Sequence, residues 1–258
     1  MASRRLDMPS FKYYLKKRNR IFLIVFSGLF LLLIIGFFAY FIESTYQDFF
    51  QSTVFIFGVI YFVGLLVAKQ MMVTISMYTH YYRMIDENLP PFEVVHHPYD
   101  ASFSQELTKH QFTIGVDRPL YQIYYRMFPR LPYVKRTGLS MMWIVITKTT
   151  MDTYDSRIED DVVFIKSKIP HSQRIQNEIT LVFHQQDSWN DANKVEGQKI
   201  VNFYVQNRAM ICIPCAVMPS KKQIYALRPN KKFPNKYYFV AIQFLKEITS
   251  AKANLNES

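Results

Sequence analysis

Apolar residues along this chain come first in two unbroken runs, then at helical spacing, and finally in short alternating or continuous stretches. Ile21 to Ile42 is a run of 22 residues without a formal charge. At about 1.5 Å of rise per residue, a helix of that length crosses a hydrocarbon core about 30 Å thick. Phe49 to Ala68 is a second run of 20 residues, with Gln51, Ser52 and Thr53 gathered at one end, where a headgroup region tolerates them. The link between the runs, Glu43 to Asp48, is too short to fold alone. The pattern therefore predicts a two-helix transmembrane hairpin over residues 21–68.

Charge orients the hairpin. Seven basic residues (Arg4, Arg5, Lys12, Lys16, Lys17, Arg18, Arg20) stand against Asp7 ahead of the first run, whereas the link holds two carboxylates and no Lys or Arg. Positive charge stays on the cytoplasmic side, so both termini are expected in the cytoplasm of a protein integral to the plasma membrane. A cleaved signal peptide fits less well, because its apolar region is usually about 7 to 15 residues and ends at a small-x-small site. Neither run carries an Asp, Glu, Lys, Arg or His that would mark an ion or proton path. The hairpin reads as an anchor, with Gly64 and Ala68 as one small-xxx-small step for close helix approach.

After Ala68 the period becomes helical. Met71, Met72, Ile75, Met77, Tyr78, Tyr81, Tyr82 and Ile85 recur at spacings of three and four, which predicts a stalk that projects from the membrane or lies along it. Pro90 and Pro91 end it. The organisation expected is a basic segment at 1–20, the hairpin at 21–68, the stalk at 69–90, one cytosolic domain at 91–251 and a tail at 252–258.

Within the domain, Ser102 to His110 reads as a short helix, and residues 112–116 and 121–125 as a hairpin turning through Asp117, Arg118 and Pro119. Met141 to Thr147 is apolar nearly throughout, as a strand covered on both faces must be. Asp152 to Lys168 begins acidic and ends basic, which suits a helix, although Asp161 to Ile165 is also compatible with a strand. Further strands are expected at 178–184, 209–217 and 223–227, with 195–207 open between helix and strand. Lys236 to Ala251 is a closing helix with Tyr237, Val240, Ala241, Phe244 and Ile248 on its buried face. The fold class is α+β, a mixed or antiparallel sheet closed by a C-terminal helix. That outline is similar to pleckstrin-homology-like domains, and an ordinary α+β sandwich fits it equally.

Composition narrows the chemistry. The chain carries a net charge of +11, and residues 91–258 hold 22 Lys and Arg against 15 Asp and Glu. Such a surplus attracts an anionic cytoplasmic leaflet or nucleic acid, and near a bilayer the leaflet is the closer and cheaper partner. Only Gly115, Gly138 and Gly197 fall in the domain, too few for a Walker A loop or a dinucleotide fingerprint. No cofactor and no metal is expected. Cys212 and Cys215 form a C-x-x-C pair inside a stretch that reads as a strand, which favours structural cysteines over a zinc half-site or a redox dithiol. Asp152, Asp155, Glu159, Asp160 and Asp161 read as a solvated helix face favoured by the dipole. Two basic stretches remain, Arg126, Arg130, Lys135 and Arg136 interleaved with aromatics, and Lys221, Lys222, Arg228, Lys231, Lys232 and Lys236 in a loop free of acids. Both are expected to be exposed. Together they point to a non-enzymatic binding or assembly protein that meets an acidic protein of a membrane assembly or anionic lipid. The competing class is a tethered enzyme acting on nucleic acid or thiols, with Asp155, Glu159, Cys212 and Cys215 as its candidate residues.

Overall fold

The computed structural model describes residues 10–41, 44–134, 138–148, 155–170, 173–187, 198, 201–205, 208–230 and 232–251. The chain divides into two compact units, Met1–Asp86 and Glu87–Ser258.

The first unit is a pair of helices, α1 (Phe11–Tyr40) and α2 (Ser44–Asp86). Both are long and apolar enough to cross a membrane. They run antiparallel, because the start of α1 lies beside the end of α2. The Tyr14 ring stacks on Tyr78 and Tyr82 at 5.3 and 5.1 Å, and the Arg83 guanidinium sits 5.0 Å from the Phe11 ring. Basic residues near the start of α1 oppose the helix dipole, so these ring contacts supply stability that the local sequence does not. The predicted stalk is thus the second half of one unbroken helix, paired with the first turns of α1. The expected link also shrinks, since Ser44 to Asp48 already belong to α2.

The two helices meet closely at Gly28. Tyr61 donates its hydroxyl proton to the Val25 carbonyl at 2.6 Å, and a β-carbon on Gly28 would lie 2.8 Å from the Tyr61 ring. Around Gly64, by contrast, a β-carbon would meet nothing within 4 Å, so the Gly64 and Ala68 step is not the point of closest approach.

The second unit is an α+β sandwich. Its elements are β1 (Phe92–Glu93), α3 (Ala101–Lys109), β2 (Thr113–Asp117), β3 (Tyr121–Phe128), β4 (Ser140–Thr147), α4 (Ser156–Ser167), β5 (Asn177–Gln185), β6 (Val201–Val205), β7 (Arg208–Met218), β8 (Gln223–Ala226) and α5 (Lys236–Ile248). Seven strands form one mixed sheet in the order β1-β8-β7-β5-β4-β3-β2, and β6 pairs with the first half of β7. β4, β5 and β7 are parallel neighbours, and the other pairs are antiparallel. The crossover from β4 to β5 runs through α4, as a parallel connection requires.

Alternation along β5 assigns the faces. Val182 packs with Ile158 and Ile165 of α4, together with Tyr121, Ile123, Trp143 and Val145. Phe183 points the other way and meets Phe103 of α3, ring to ring at 5.8 Å. Helices therefore cover both faces of an open sheet, and the rolled arrangement closed by a single helix is not what the chain forms. Every residue of β4 is buried, in keeping with its unbroken apolar sequence.

Local expectations hold at most elements. The 121–128 and 113–117 strands pair as a hairpin, and the acidic-to-basic segment is a helix rather than a strand, with Asp155 as its N-cap accepting from the Arg157 backbone N–H. In 195–207 the described part of the backbone includes a strand at Val201–Val205. In α5 the fully buried tyrosine is Tyr238, whose hydroxyl donates to the Leu227 carbonyl at 2.6 Å, whereas Tyr237 is only half-buried. A buried hydroxyl needs an acceptor, and only Tyr238 faces one.

At the amino ends of the parallel strands, the buried Asn177 amide ties three of them together. It donates to Ser140 Oγ at 3.2 Å and accepts from the Ala209 N–H at 3.3 Å.

Replacing Gly28 with Val is expected to destabilise the helix pair by about 1–3 kcal/mol through overpacking against Tyr61, while Gly36→Val, in open space, leaves it unchanged within about 0.5 kcal/mol. Thermal unfolding of the full-length protein in detergent, followed by circular dichroism, checks the contrast.

Candidate functional site

The basic residues singled out in the sequence have unequal fates. Arg126 is half-buried and engaged, donating to the His110 carbonyl at 2.7 Å and to Gln111 Oε1 at 3.1 Å, with its guanidinium 4.3 Å from the Phe128 ring. It fastens the connection between α3 and β2. Arg228 is buried at 2 % exposure, donates from Nη2 to the Pro90 carbonyl at 3.1 Å and lies 4.9 Å from the Phe92 ring. The expectation of an exposed Arg228 is therefore overturned. Its charge is spent holding the segment after α2 against the end of β8. Arg130, Lys221, Lys222, Lys232 and Lys236 are exposed, and Lys135, Arg136 and Lys231 lie outside the described residues.

The exposed cations do not form the two patches that their order in the chain suggests. Lys221 and Lys222 occupy the tight turn between β7 and β8, at the carboxyl edge of the parallel strands, where Lys222 has a φ of 49°. Arg130, Lys232 and Lys236 lie at the amino edge instead. There the loop after β3 meets the loop before α5 through rings, with Tyr133 5.8 Å from Phe239 and Phe233 5.1 Å from Phe239. Tyr133 is 69 % exposed and adopts a φ of 61°. The Asn235 side chain caps α5 by accepting from the Tyr238 N–H at 2.8 Å, which fixes Lys236 in the first turn. The positive end of the helix dipole adds to these charges. The result is an edge of cations around partly exposed aromatic rings.

At the carboxyl edge, the turn between β2 and β3 meets α4. Arg118, Pro119, Leu120, Tyr121, Arg157, Asp160 and Asp161 line a cleft of 500 Å³. Arg118 binds both oxygens of Asp161, at 3.1 and 2.9 Å, and the Tyr121 hydroxyl donates to Asp161 Oδ2 at 2.8 Å. The Arg118 guanidinium holds the Asp161 carboxyl below its ordinary value, while burial and then Asp161 push the Tyr121 hydroxyl up to about 12. Asp155 chelates the Arg157 guanidinium at 2.9 and 2.7 Å and is drawn down to about 2 by that contact. Two carboxylates of the acidic segment are thus committed to arginines. Among the described residues no group of three His, Cys, Asp or Glu is placed to hold a metal ion.

The remaining candidates for catalysis are separated by the fold. Cys212 and Cys215 lie in β7, three residues apart, so strand alternation sends them to opposite faces. Cys212 packs on the α4 side, and Cys215 is fully buried, with burial pushing its thiol well above the ordinary value. Such a pair cannot act as one dithiol or one chelate. On the α4 side of the same sheet, Glu178 accepts from the Trp143 indole N–H at 3.3 Å and pairs with Lys166.

Sequence reasoning missed Phe233 and Phe239 as partners of Tyr133. The place of Phe239 outside the buried stripe of α5 was the available signal. The pairing of Arg118 with Asp161, 43 positions apart, left none.

Asp161→Asn is expected to cost about 1–2 kcal/mol at neutral pH, discounted because the Arg118 side chain is 55 % exposed. The wild-type carboxyl has a folded pKa below its ordinary 3.8, so its contribution is complete above that value and is lost as pH falls through the lowered one. Urea unfolding of the two proteins should differ at neutral pH and converge as the pH falls below the lowered value. Arg228→Met should lower stability by about 2–4 kcal/mol by leaving the Pro90 carbonyl unpaired, and Lys222→Met by less than about 0.5 kcal/mol, in the same assay. Comparison with protein-family models, with curated proteins and with solved structures finds no match, so the functional reading rests on the chemistry of these two edges.

Proposed function

We propose that the chain is a membrane-anchored, non-enzymatic binding or assembly protein whose basic domain meets an acidic protein partner or anionic lipid headgroups. The observation that carries this reading is the convergence of exposed Arg130, Lys232 and Lys236 with Tyr133 on one edge of a domain that follows directly on two apolar helices. No carboxylate occurs from Arg118 to Met151 or from Gly197 to Lys246, the stretches that supply the edge. The seven basic residues at 4–20 favour an arrangement with both termini in the cytoplasm and the hairpin in the cell membrane. An exposed cation near an anionic surface contributes on the order of 1 kcal/mol, so five of them support binding that salt weakens.

The test uses the full-length protein in nanodiscs of neutral phosphatidylcholine, with polyglutamate and phosphatidylglycerol vesicles as the two probes. Replacing Arg130, Lys221, Lys222, Lys232 and Lys236 together by Gln is expected to weaken binding of at least one probe by more than about tenfold, and about 0.5 M salt should do the same to the parent protein. Binding of neither probe, or binding indifferent to both the substitutions and the salt, overturns the proposal.

A further inference from the structure

We infer that the outer face of α4 is an interface between two copies of this chain, with the two helices packed antiparallel about Val163 and Phe164. This surface lies outside the function proposed above and uses none of the cations that carry it.

α4 turns Ile158, Asp161 and Ile165 inward, and the helical period leaves Asp160, Val163, Phe164 and Ser167 on the outer side. Val163 is 57 % and Phe164 54 % exposed, side by side in the middle of the helix. The outer face of a helix on a sheet is ordinarily polar, and neither residue raises helix propensity, so the pair has no local role. The charges around it change sign. Glu159 and Asp160 lie one turn ahead, and Lys168 closes the helix one turn behind. Ser167 donates its hydroxyl proton to the Phe164 carbonyl at 2.7 Å, and Lys168 Nζ lies 4.1 Å from the Phe164 ring, so cation and ring share one flank. Among the described residues, neither Asp160 nor Lys168 has an ion-pair partner, whereas Asp155, Asp161 and Lys166 do.

This order selects the occupant. Acid, apolar pair and base, read backwards, give base, apolar pair and acid, so the face is complementary to itself turned end for end. A two-fold axis between Val163 and Phe164 sets Val163 against the partner's Phe164 and brings Asp160 to the partner's Lys168. Each contact then occurs twice, as a symmetric interface requires. Parallel packing would set acid beside acid and base beside base, so charge fixes the direction as well as the partner. An anionic leaflet answers one sign only, and it repels the carboxylates at the other end of the same face. The helix has 12 residues, which gives a contact about 18 Å long. A contact of that size is weak between free molecules, but two copies confined to one membrane meet at a raised effective concentration.

The experiment uses the full-length protein in phosphatidylcholine vesicles, with energy transfer between donor-labelled and acceptor-labelled copies measured as the protein is diluted in lipid. Transfer is expected to follow a monomer–dimer isotherm. Phe164→Ser, Asp160→Lys and Lys168→Glu should each raise the dissociation constant at least about fivefold. Asp160→Lys combined with Lys168→Glu should return it to within about twofold of the parent value, because exchanging the two charges restores both pairs. That recovery also shows that the charge variants fold. Absence of transfer at every dilution overturns the proposal. So does transfer that none of the single variants weakens, since the copies would then meet elsewhere. Weakening by the single charge variants without recovery in the combined one would show a partner of different sequence or a different register, and overturns it as well. Emission of Phe164→Trp shifted to the blue relative to the parent, at dilutions where transfer has vanished, would give the face to the bilayer instead.

Discussion

The second unit depends on burying β4 from both sides. Its apolar residues from Met141 to Ile146 leave no face for water, and burying them contributes on the order of 10 kcal/mol before entropy is counted, as much as the whole net stability of a typical domain. That demand requires helices on both faces. It is met by α4 on one side and by α3 and α5 on the other, with the apolar β5 parallel to β4 so that the chain can cross over through α4. Once both faces are covered, polar chemistry has only two places left, the amino and carboxyl edges of the parallel strands. Every candidate residue in the described domain that reaches solvent lies at one of these edges or on the outer side of a helix.

The two edges use charge differently. At the carboxyl edge, arginine and aspartate neutralise one another. Arg118 holds Asp161, Arg157 holds Asp155, and Lys148 holds Asp117 at 2.7 Å. These pairs fasten turns, and their exposure limits what each adds to stability. At the amino edge the cations have no carboxylate in their own loops, and a helix terminus adds to the positive potential. Arg228 shows that loop position alone does not decide the matter. An arginine within three residues of Lys231 serves as an internal clamp on Pro90 and Phe92, because its fork of donors reaches a backbone carbonyl that a lysine would meet at a single point.

Much of the architecture was legible in the sequence, and the reasons are physical. Long apolar runs, a strand apolar at every position and a turn rich in Asp, Arg and Pro each have few structural solutions, so α2, β4 and the hairpin of β2 with β3 emerged close to their true limits, whereas α1 begins at Phe11, ahead of the run that starts at Ile21. Relations between distant segments were not legible. Gly28 rather than Gly64 admits the partner helix because helix rotation places Tyr61 against it, and composition says nothing about rotation. Arg228 looked like one more cation in a basic loop, since its partner Pro90 is 138 positions away. The amino-edge surface was half visible. Tyr133 and the cations stood out, but their union with Phe233 and Phe239 follows from the sheet order that brings the end of β3 beside the start of α5.

The first unit extends its helix pair beyond the apolar runs. A protein that reads lipid headgroups gains by lying close to them, and a short flexible linker after the second apolar run would allow that. Here the run continues as helix for 18 more residues, and Tyr14, stacked on Tyr78 and Tyr82, braces this extension with a second helix. A paired helix resists bending far better than a single one, so the contacts at Phe11 and Tyr14 stiffen α2 well past its apolar run.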